Sequence, residues 1–295
     1  MTSPIISIRN LRKSYSLNTV LSDLNWEIEQ GDIVGLVGKN GSGKSTLLET
    51  IMNLRDIDYG TLRLWDMSWS DLPQSKREKI GFVSQDIKGF EWMKVKDFLN
   101  YIGGFFPSWD SEYCNRLRDR WNLDPDKKIR KLSGGQAQIL HVIQALSIRP
   151  ELMILDEPVA HLDPSMRRQF LGELIELSCE SNSTVVFSSH IVSDLERVAN
   201  KVALLKDGKI AHYHQLDELK ANIVQLKIAS NKPLEQSGYY RNLSNWQSQD
   251  SGATATITSP VSEGLKEYVS NAPNEIIVTP ISLEDWYLEV NNEIF

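Results

Sequence analysis

The chain has 295 residues, enough for one large or two smaller domains whose core removes about three-quarters of the unfolded surface from water. Hydrophobic residues make up 41% and charged residues 24%, and no apolar run nears the roughly 18 to 20 residues of a membrane-crossing helix. The net charge of −7 disfavours a nucleic-acid partner, because phosphate backbones are gripped by basic surfaces.

The first residues show no basic segment followed by an apolar stretch, so no secretion signal is expected. Cys114 and Cys179 match no metal-ligand spacing and are expected as small buried hydrophobes in a reducing cytosol. From Ala221 onward, 4 basic residues stand against 9 acidic ones, and a Ser/Gln/Asn/Thr-rich stretch spans Gln236 to Ser259. The last quarter is therefore expected to be a domain of its own, over 221–295, after a larger one over 1–220.

In chain order, Ile5 to Arg9 and Leu24 to Ile28 read as short strands around a turn at Ser16 to Asn18. Asp32 to Gly38 is a buried strand running into a glycine loop, and Lys44 to Asn53 a helix. Ile80 to Ser84 is a strand. From Phe90 to Ser147 the apolar residues recur at helical spacing, as in Phe98, Tyr101, Ile102 and Phe105. Leu152 to Leu155 and Thr184 to Phe187 have the unbroken apolar character of central parallel strands. Met166 to Cys179 and Val192 to Ala199 read as helices. Asp207-Gly208 predicts a tight turn between strands at Val202 to Leu205 and Lys209 to Tyr213. In the tail, strands are expected at Ile223 to Ile228, Thr254 to Thr258 and Ile276 to Val278, with a helix over Val261 to Ser270. Strands alternating with helices indicate an α/β fold.

Gly38-Lys39-Asn40-Gly41-Ser42-Gly43-Lys44-Ser45 fits the pattern G-x-x-x-x-G-K-[ST], with Thr46 following in the helix. Phosphates need several N–H groups converging on them, and glycines let the backbone curl closely enough to supply these. The helix behind the loop aims its positive end at the same anions. Lys44 is placed to reach the β- and γ-phosphates of a nucleotide, and the Ser45 hydroxyl to ligate Mg²⁺; the loop alone is equally that of a kinase, GTPase or helicase. Leu152-Met-Ile-Leu-Asp156-Glu157 is an apolar strand ending in two acids whose side chains should diverge. Asp156 is suited to hold Mg²⁺ through water. Glu157 is suited to polarise an attacking water as a general base.

Leu132-Ser133-Gly134-Gly135-Gln136, lying before that strand and opening a helical stretch, resembles the signature loop of ABC ATPases. The likeness covers about residues 4 to 220. It implies a P-loop NTPase core of ABC ATPase type with an antiparallel β subdomain, a helical subdomain at about 86–148 and a small C-terminal α+β accessory domain. By the same resemblance Tyr15 would stack on adenine, and Gln85 would sense Mg²⁺ and the membrane partner. Asp163 would belong to the D-loop, and His190 would contact the γ-phosphate. Two subunits, most simply two copies of this chain, would pack head to tail with ATP between the phosphate loop of one and Ser133 to Gln136 of the other.

The sequence departs from the family pattern in two places. The signature helix continues Ala137-Gln-Ile-Leu-His141 where many relatives carry arginines, and the D-loop reads Val159-Ala-His161 where small residues are frequent. Neither removes a group needed for hydrolysis.

The resemblance also implies a separate transmembrane permease, docked on the helical subdomain and Q-loop from the cytoplasmic face of the membrane. Phe90, Trp92, Phe105, Phe106 and Trp109 lie in that segment, and most are expected to be subdomain core. Lys127, Lys128, Arg130 and Lys131 are expected to form a solvated face. Gly104-Phe-Phe-Pro-Ser-Trp-Asp110 resembles ATPases of bacterial ABC-2-type exporters, and Ile281 to Leu288 resembles the closing helix of their accessory domains. An exporter ATPase is the reading these features favour; an importer ATPase and a non-transport ATPase are its rivals.

Overall fold

A computed structural model describes residues 4–85, 89–222, 224–229, 244–249, 252–257 and 275–291. The chain divides into two compact units, Met1–Tyr213 and His214–Phe295.

The first unit begins with β1 (Ile6–Tyr15) and β2 (Asn18–Ile28), followed by β3 (Ile33–Val37), α1 (Lys44–Ile51), β4 (Tyr59–Leu64), α2 (Gln74–Arg77) and β5 (Ile80–Val83). Then come α3 (Val95–Gly103), α4 (Ser111–Arg120), α5 (Gly134–Ser147), β6 (Leu152–Leu155), α6 (Pro164–Ser181), β7 (Thr184–Ser188), α7 (Val192–Val198), β8 (Lys201–Lys206) and β9 (Lys209–Gln215). Two sheets organise these elements. The larger has the order β5-β6-β7-β3-β8-β9, with parallel pairing from β5 through β8. Every residue of β3, β6 and β7 is buried, which explains their unbroken apolar sequences. Asp207 and Gly208 both take positive φ (50° and 72°) in the turn to β9, as Asp-Gly predicts.

The smaller sheet is antiparallel, in the order β2-β1-β4. Its strands outrun the segments expected from sequence because β1 is irregular. Its pairing with β2 shifts register between Ile8 and Leu11 and again on either side of Lys13, and Asn10 has φ 49°. Both sheets meet in one core, where Ile6, Ile8, Leu11, Trp26 and Ile28 pack with Leu36, Leu47, Leu48 and Ile154.

The helical segment is anchored by α5, which buries Ile139, Leu140, Val142, Ile143 and Leu146. A buried polar link ties α4 to α6. Glu173, on α6, accepts a 2.7 Å bond from the Tyr113 hydroxyl and pairs with Arg120. The aromatic residues here depart from expectation. Trp92 and Phe105 are 70% and 59% exposed, and Phe90, Phe106 and Trp109 are only half-buried. The reason is geometric: α3 spends its inner face on Val95, Phe98 and Leu99, leaving the remaining rings outside. Cys114 is buried as expected, but Cys179 is exposed near the end of α6.

His141 lies on α5, its ring edge-on to Phe98 and its Nδ1 3.2 Å from Gln144 Oε1. Burial pulls its pKa down to about 4, against the opposing pull of Gln144. The unfolded chain takes up this proton near pH 6.5 and the folded chain only near pH 4, so stability is intact above pH 6.5 and falls with acidification between the two. Over pH 6.5 to 5 the wild type should lose about 2 kcal/mol more than His141→Phe in urea denaturation. Parallel pH profiles would show that the ring titrates normally.

The second unit comprises α8 (Leu216–Asn222), β10 (Val224–Ala229), β11 (Ser244–Gln249), β12 (Gly252–Ile257), β13 (Glu275–Pro280) and α9 (Leu283–Val290). Its sheet is antiparallel in the order β11-β12-β10-β13. β12 and β13 run the same way on either side of β10, the frame of a split βαβ unit. The helix expected over Val261 to Ser270 falls outside the described residues. α9 starts at a reciprocal cap, in which Asp285 N–H donates to Ser282 Oγ and Ser282 N–H to Asp285 Oδ2, and it buries Leu283 and Trp286.

Candidate functional site

Residues Gly38 to Ser45 form the loop between β3 and α1. Gly43, at the helix N-cap, has φ 102° and offers no side-chain cap, so the first N–H groups of α1 are not consumed by a neighbouring side chain. Only glycine suits Gly38, because a Cβ there would lie 2.6 Å from the carbonyl oxygen of Leu205. Lys44 folds back over the loop, its ammonium donating to the carbonyls of Gly38 (2.7 Å) and Lys39 (3.2 Å). Burial lowers its pKa, and the nearby charges of Glu157 and Asp156 oppose that shift. An ammonium held by two backbone carbonyls could exchange those contacts for the oxygens of an anion.

The two acids sit at the end of β6 and diverge as expected. Asp156 is buried, and its Oδ1 accepts a 2.7 Å bond from the Ser188 hydroxyl at the end of β7. Glu157 takes φ 49° and sends its carboxylate towards His190, whose Nδ1 lies 2.8 Å from Oε2. The parallel pairing of β6 with β7 brings these groups together although 33 residues separate them.

A cleft of about 630 Å³ joins the pieces. It is lined by Asn40, Gly41, Gly43, Lys44, Ser45 and Thr46 of the loop and α1 and by Gln85, Glu157 and His190, which follow strands β5, β6 and β7. Tyr15 also lines it, 41% exposed, with the Lys13 ammonium 5.4 Å from its ring centre. Gly38, Lys39, Ser42 and Asp156 are not in this lining: Gly38 and Asp156 are buried, Ser42 is half-buried and Lys39 is exposed. Ala160, from the D-loop stretch 159–161, also lines the cleft, as does Val20, which no sequence motif marks. Val20 is wedged in place, since a Cβ on Gly43 would lie 2.9 Å from its Cγ1 and one on Gly208 2.7 Å from its carbonyl oxygen. The Gly208 carbonyl also accepts the Ser22 N–H at 3.0 Å.

Ser133 to Gln136 are not part of the cleft. They form an accessible turn at the start of α5, closed by a capping box in which Ser133 Oγ accepts the Gln136 N–H and Gln136 Oε1 the Ser133 N–H. Gln136 Oε1 also accepts from Lys127, so Lys127 serves this turn, while Lys128, Arg130 and Lys131 are exposed. The turn rests on the loop after Glu157, where a Cβ on Gly135 would lie 2.6 Å from the His161 carbonyl oxygen. Asp163 is likewise away from the cleft, capping α6 by accepting from Ser165 and Met166 N–H groups.

The fold matches that of a bacterial ABC transporter cassette, MJ0796, solved as a dimer, with a TM-score of 0.65 and 25% identity over 72% of this chain and 98% of that one. The ABC transporter ATP-binding protein YtrB of Bacillus subtilis (strain 168) is 28% identical over 96% of this chain and 97% of its own. The family model described as ABC transporter matches residues 21–160. The methionine import ATP-binding protein MetN of Campylobacter jejuni is 31% identical over 73% of this chain and 72% of its own. The chain belongs to the ABC transporter family. Within that family it is an ATP-binding ATPase subunit, and its architecture is that of the ABC cassette with an added α+β unit. No helix among the described residues of this ABC subunit is long and apolar enough to cross a membrane.

Proposed function

We propose that this ABC ATPase drives an exporter whose membrane-crossing part is a separate permease, and that it works as a head-to-tail dimer closed by ATP. The observation that carries the dimer is the division of the nucleotide-binding groups. The cleft gathers the phosphate loop, Glu157 and His190, whereas Ser133 to Gln136 lie outside it, accessible at a helix start. A second subunit's turn would supply further N–H donors to the γ-phosphate. The dimeric state of MJ0796 supports this reading.

In the closed cleft Tyr15 carries the base, and Lys44 and the loop amides hold the phosphates. His190 holds Glu157 in place and reaches the γ-phosphate. Glu157 takes the proton of the attacking water. Gln85 lies at the rim, where a change in the cleft passes to the permease, and Asp163 fixes the start of α6 beside the dimer contact. The donor set suits Mg²⁺: the Ser45 hydroxyl, the Gln85 amide oxygen and the Asp156 carboxylate are hard oxygen ligands, and Mg²⁺ needs few of them when phosphates and waters complete its shell. Bound there, the ion would neutralise charge on the β- and γ-phosphates.

The permease contact is assigned to the aromatic strip. Phe90 lies 5.8 Å from Trp92 and 5.7 Å from Tyr101 between ring centres, and Tyr101 lies 5.1 Å from Phe105. Exposed rings at this density suit the apolar face of a cytoplasmic helix. The export reading rests on the likeness of Gly104 to Asp110 to the ATPases of ABC-2-type exporters; the alignment with YtrB takes in the second unit, whereas that with the import protein MetN covers 73% of this chain. Co-expression with the membrane protein encoded beside its gene should yield a complex whose ATPase rate differs from that of the isolated chain. Trp92→Ala with Phe105→Ala should lose that partner. A fully active complex without any membrane protein would defeat the transport reading, and one that carries a substrate-capturing protein would point to import.

A further inference from the structure

The roles given to Asp156 and Glu157 require both carboxylates to be held still, although they lie on opposite sides of one backbone. Glu157 also takes a left-handed φ of 49°, which residues bearing a side chain adopt uncommonly. Something must fix that peptide. The structure shows one group placed to do so.

Ser188 ends β7 and is completely buried. Its hydroxyl hydrogen goes to Asp156 Oδ1 at 2.7 Å, and its oxygen accepts the Glu157 N–H at 2.8 Å. A serine hydroxyl has one hydrogen and two lone pairs, so both bonds form at once and run in the same sense, from Glu157 N–H through Ser188 to the Asp156 carboxylate. On its other side Ser188 is in register with Leu36 of β3, two residues before the phosphate loop. A single hydroxyl thus touches the side chain of one acid and the main chain of the other, from the strand next to the loop. The adjacent Ser189 is employed differently: its hydroxyl accepts from Ile191 N–H at 3.0 Å and touches neither acid.

We propose that Ser188 is a positioning residue for ATP hydrolysis, setting the side-chain orientation of Asp156 and the backbone conformation of Glu157 with one hydroxyl. This rests on the reading of Glu157 as the base and Asp156 as the residue facing the metal. Alanine at 188 leaves the Glu157 N–H buried without a partner and Asp156 Oδ1 without its donor. The base and the metal-facing carboxylate then drift, while the surfaces that hold the nucleotide are untouched.

The test uses the full chain, comparing Ser188→Ala, Ser188→Thr, Ser189→Ala and Glu157→Gln. The readouts are kcat, KM, and affinity for a fluorescent ATP analogue with and without Mg²⁺. Ser188→Ala should lower kcat about tenfold to a hundredfold with KM changed less than about threefold, the pattern of a misplaced catalytic group. Its affinity without Mg²⁺ should match the wild type, and the gain in affinity that Mg²⁺ brings should shrink. Ser188→Thr keeps the hydroxyl and should restore both, and Ser189→Ala should behave as wild type. The proposal is overturned by normal kcat in Ser188→Ala, by equal loss of affinity with and without Mg²⁺, or by a threonine variant as slow as alanine. If Ser188→Ala does not fold, Ser188→Cys, close in volume but a weak donor, carries the same expectation, and normal kcat there overturns it too. Normal turnover in Glu157→Gln strikes the underlying assignment of the base instead, so the two failures are distinguishable.

Discussion

Glu157→Gln should bind ATP as tightly as the wild type while hydrolysing it at least about a hundredfold more slowly. Glutamine has nearly the volume of glutamate, so the substitution leaves space and backbone alone. Its amide can still meet His190 Nδ1, which lies 2.8 Å from the carboxylate it replaces. What is lost is the capacity to take a proton from water. The phosphate loop and Lys44, which lie on other elements, keep the nucleotide in place. Phosphate release measured beside equilibrium nucleotide binding separates the two effects. Near-normal turnover would remove Glu157 from the role of base and leave the cleft a binding site whose chemistry lies elsewhere.

Lys44→Ala and Ser133→Ala should each be almost inactive alone, yet recover activity when mixed. The reason is the distance of Ser133 from its own cleft: the residue is exposed at the start of α5, and the lining of the cleft does not include it. If ATP lies between two chains, a mixed dimer contains one site with both defects and one with neither. Random exchange makes half of the dimers mixed, so roughly a quarter of wild-type sites return. Lys44→Ala should also weaken nucleotide binding by itself, since a charge-assisted contact to phosphate is lost. ATPase activity after subunit exchange, followed over the mixing ratio, is the measurement. Activity that stays at background at every ratio would show that each chain completes its own site, and full activity of Ser133→Ala alone would show that Ser133 takes no part.

The sequence revealed most where function is written in consecutive residues. The phosphate loop, the 132–136 turn and the strand ending in Asp156 and Glu157 are contiguous, and each sits where its neighbours place it. It revealed least where geometry depends on which strands adjoin. Ser188 lies two residues before His190 but is marked by nothing itself, and its bonds to both acids arise only because β7 lies beside β6. β4 is hard to read because only Leu64 is buried and Gly60, at φ 96°, interrupts its start, so the polar–apolar alternation is confined to the four residues Thr61 to Leu64. The end of β1 was missed for a related reason, since its register shifts put Arg12 and Lys13 inside a strand. The exposed Trp92 and Phe105 show a different limit, because composition alone does not separate a ring that fills a core from one that awaits a partner.

Val20 stands where the hairpin that carries Tyr15, the phosphate loop and the β8–β9 turn all come into van der Waals contact, with no room for even one added carbon at Gly43 or Gly208. On the roles proposed for Tyr15 and the phosphate loop, the span between the wall for the base and the seat for the phosphates is set by contact at Val20. The slot would then work as a caliper of constant gauge: a nucleotide that has lost its last phosphate would still fit at the base, and the two nucleotide states would be told apart at Glu157 and His190.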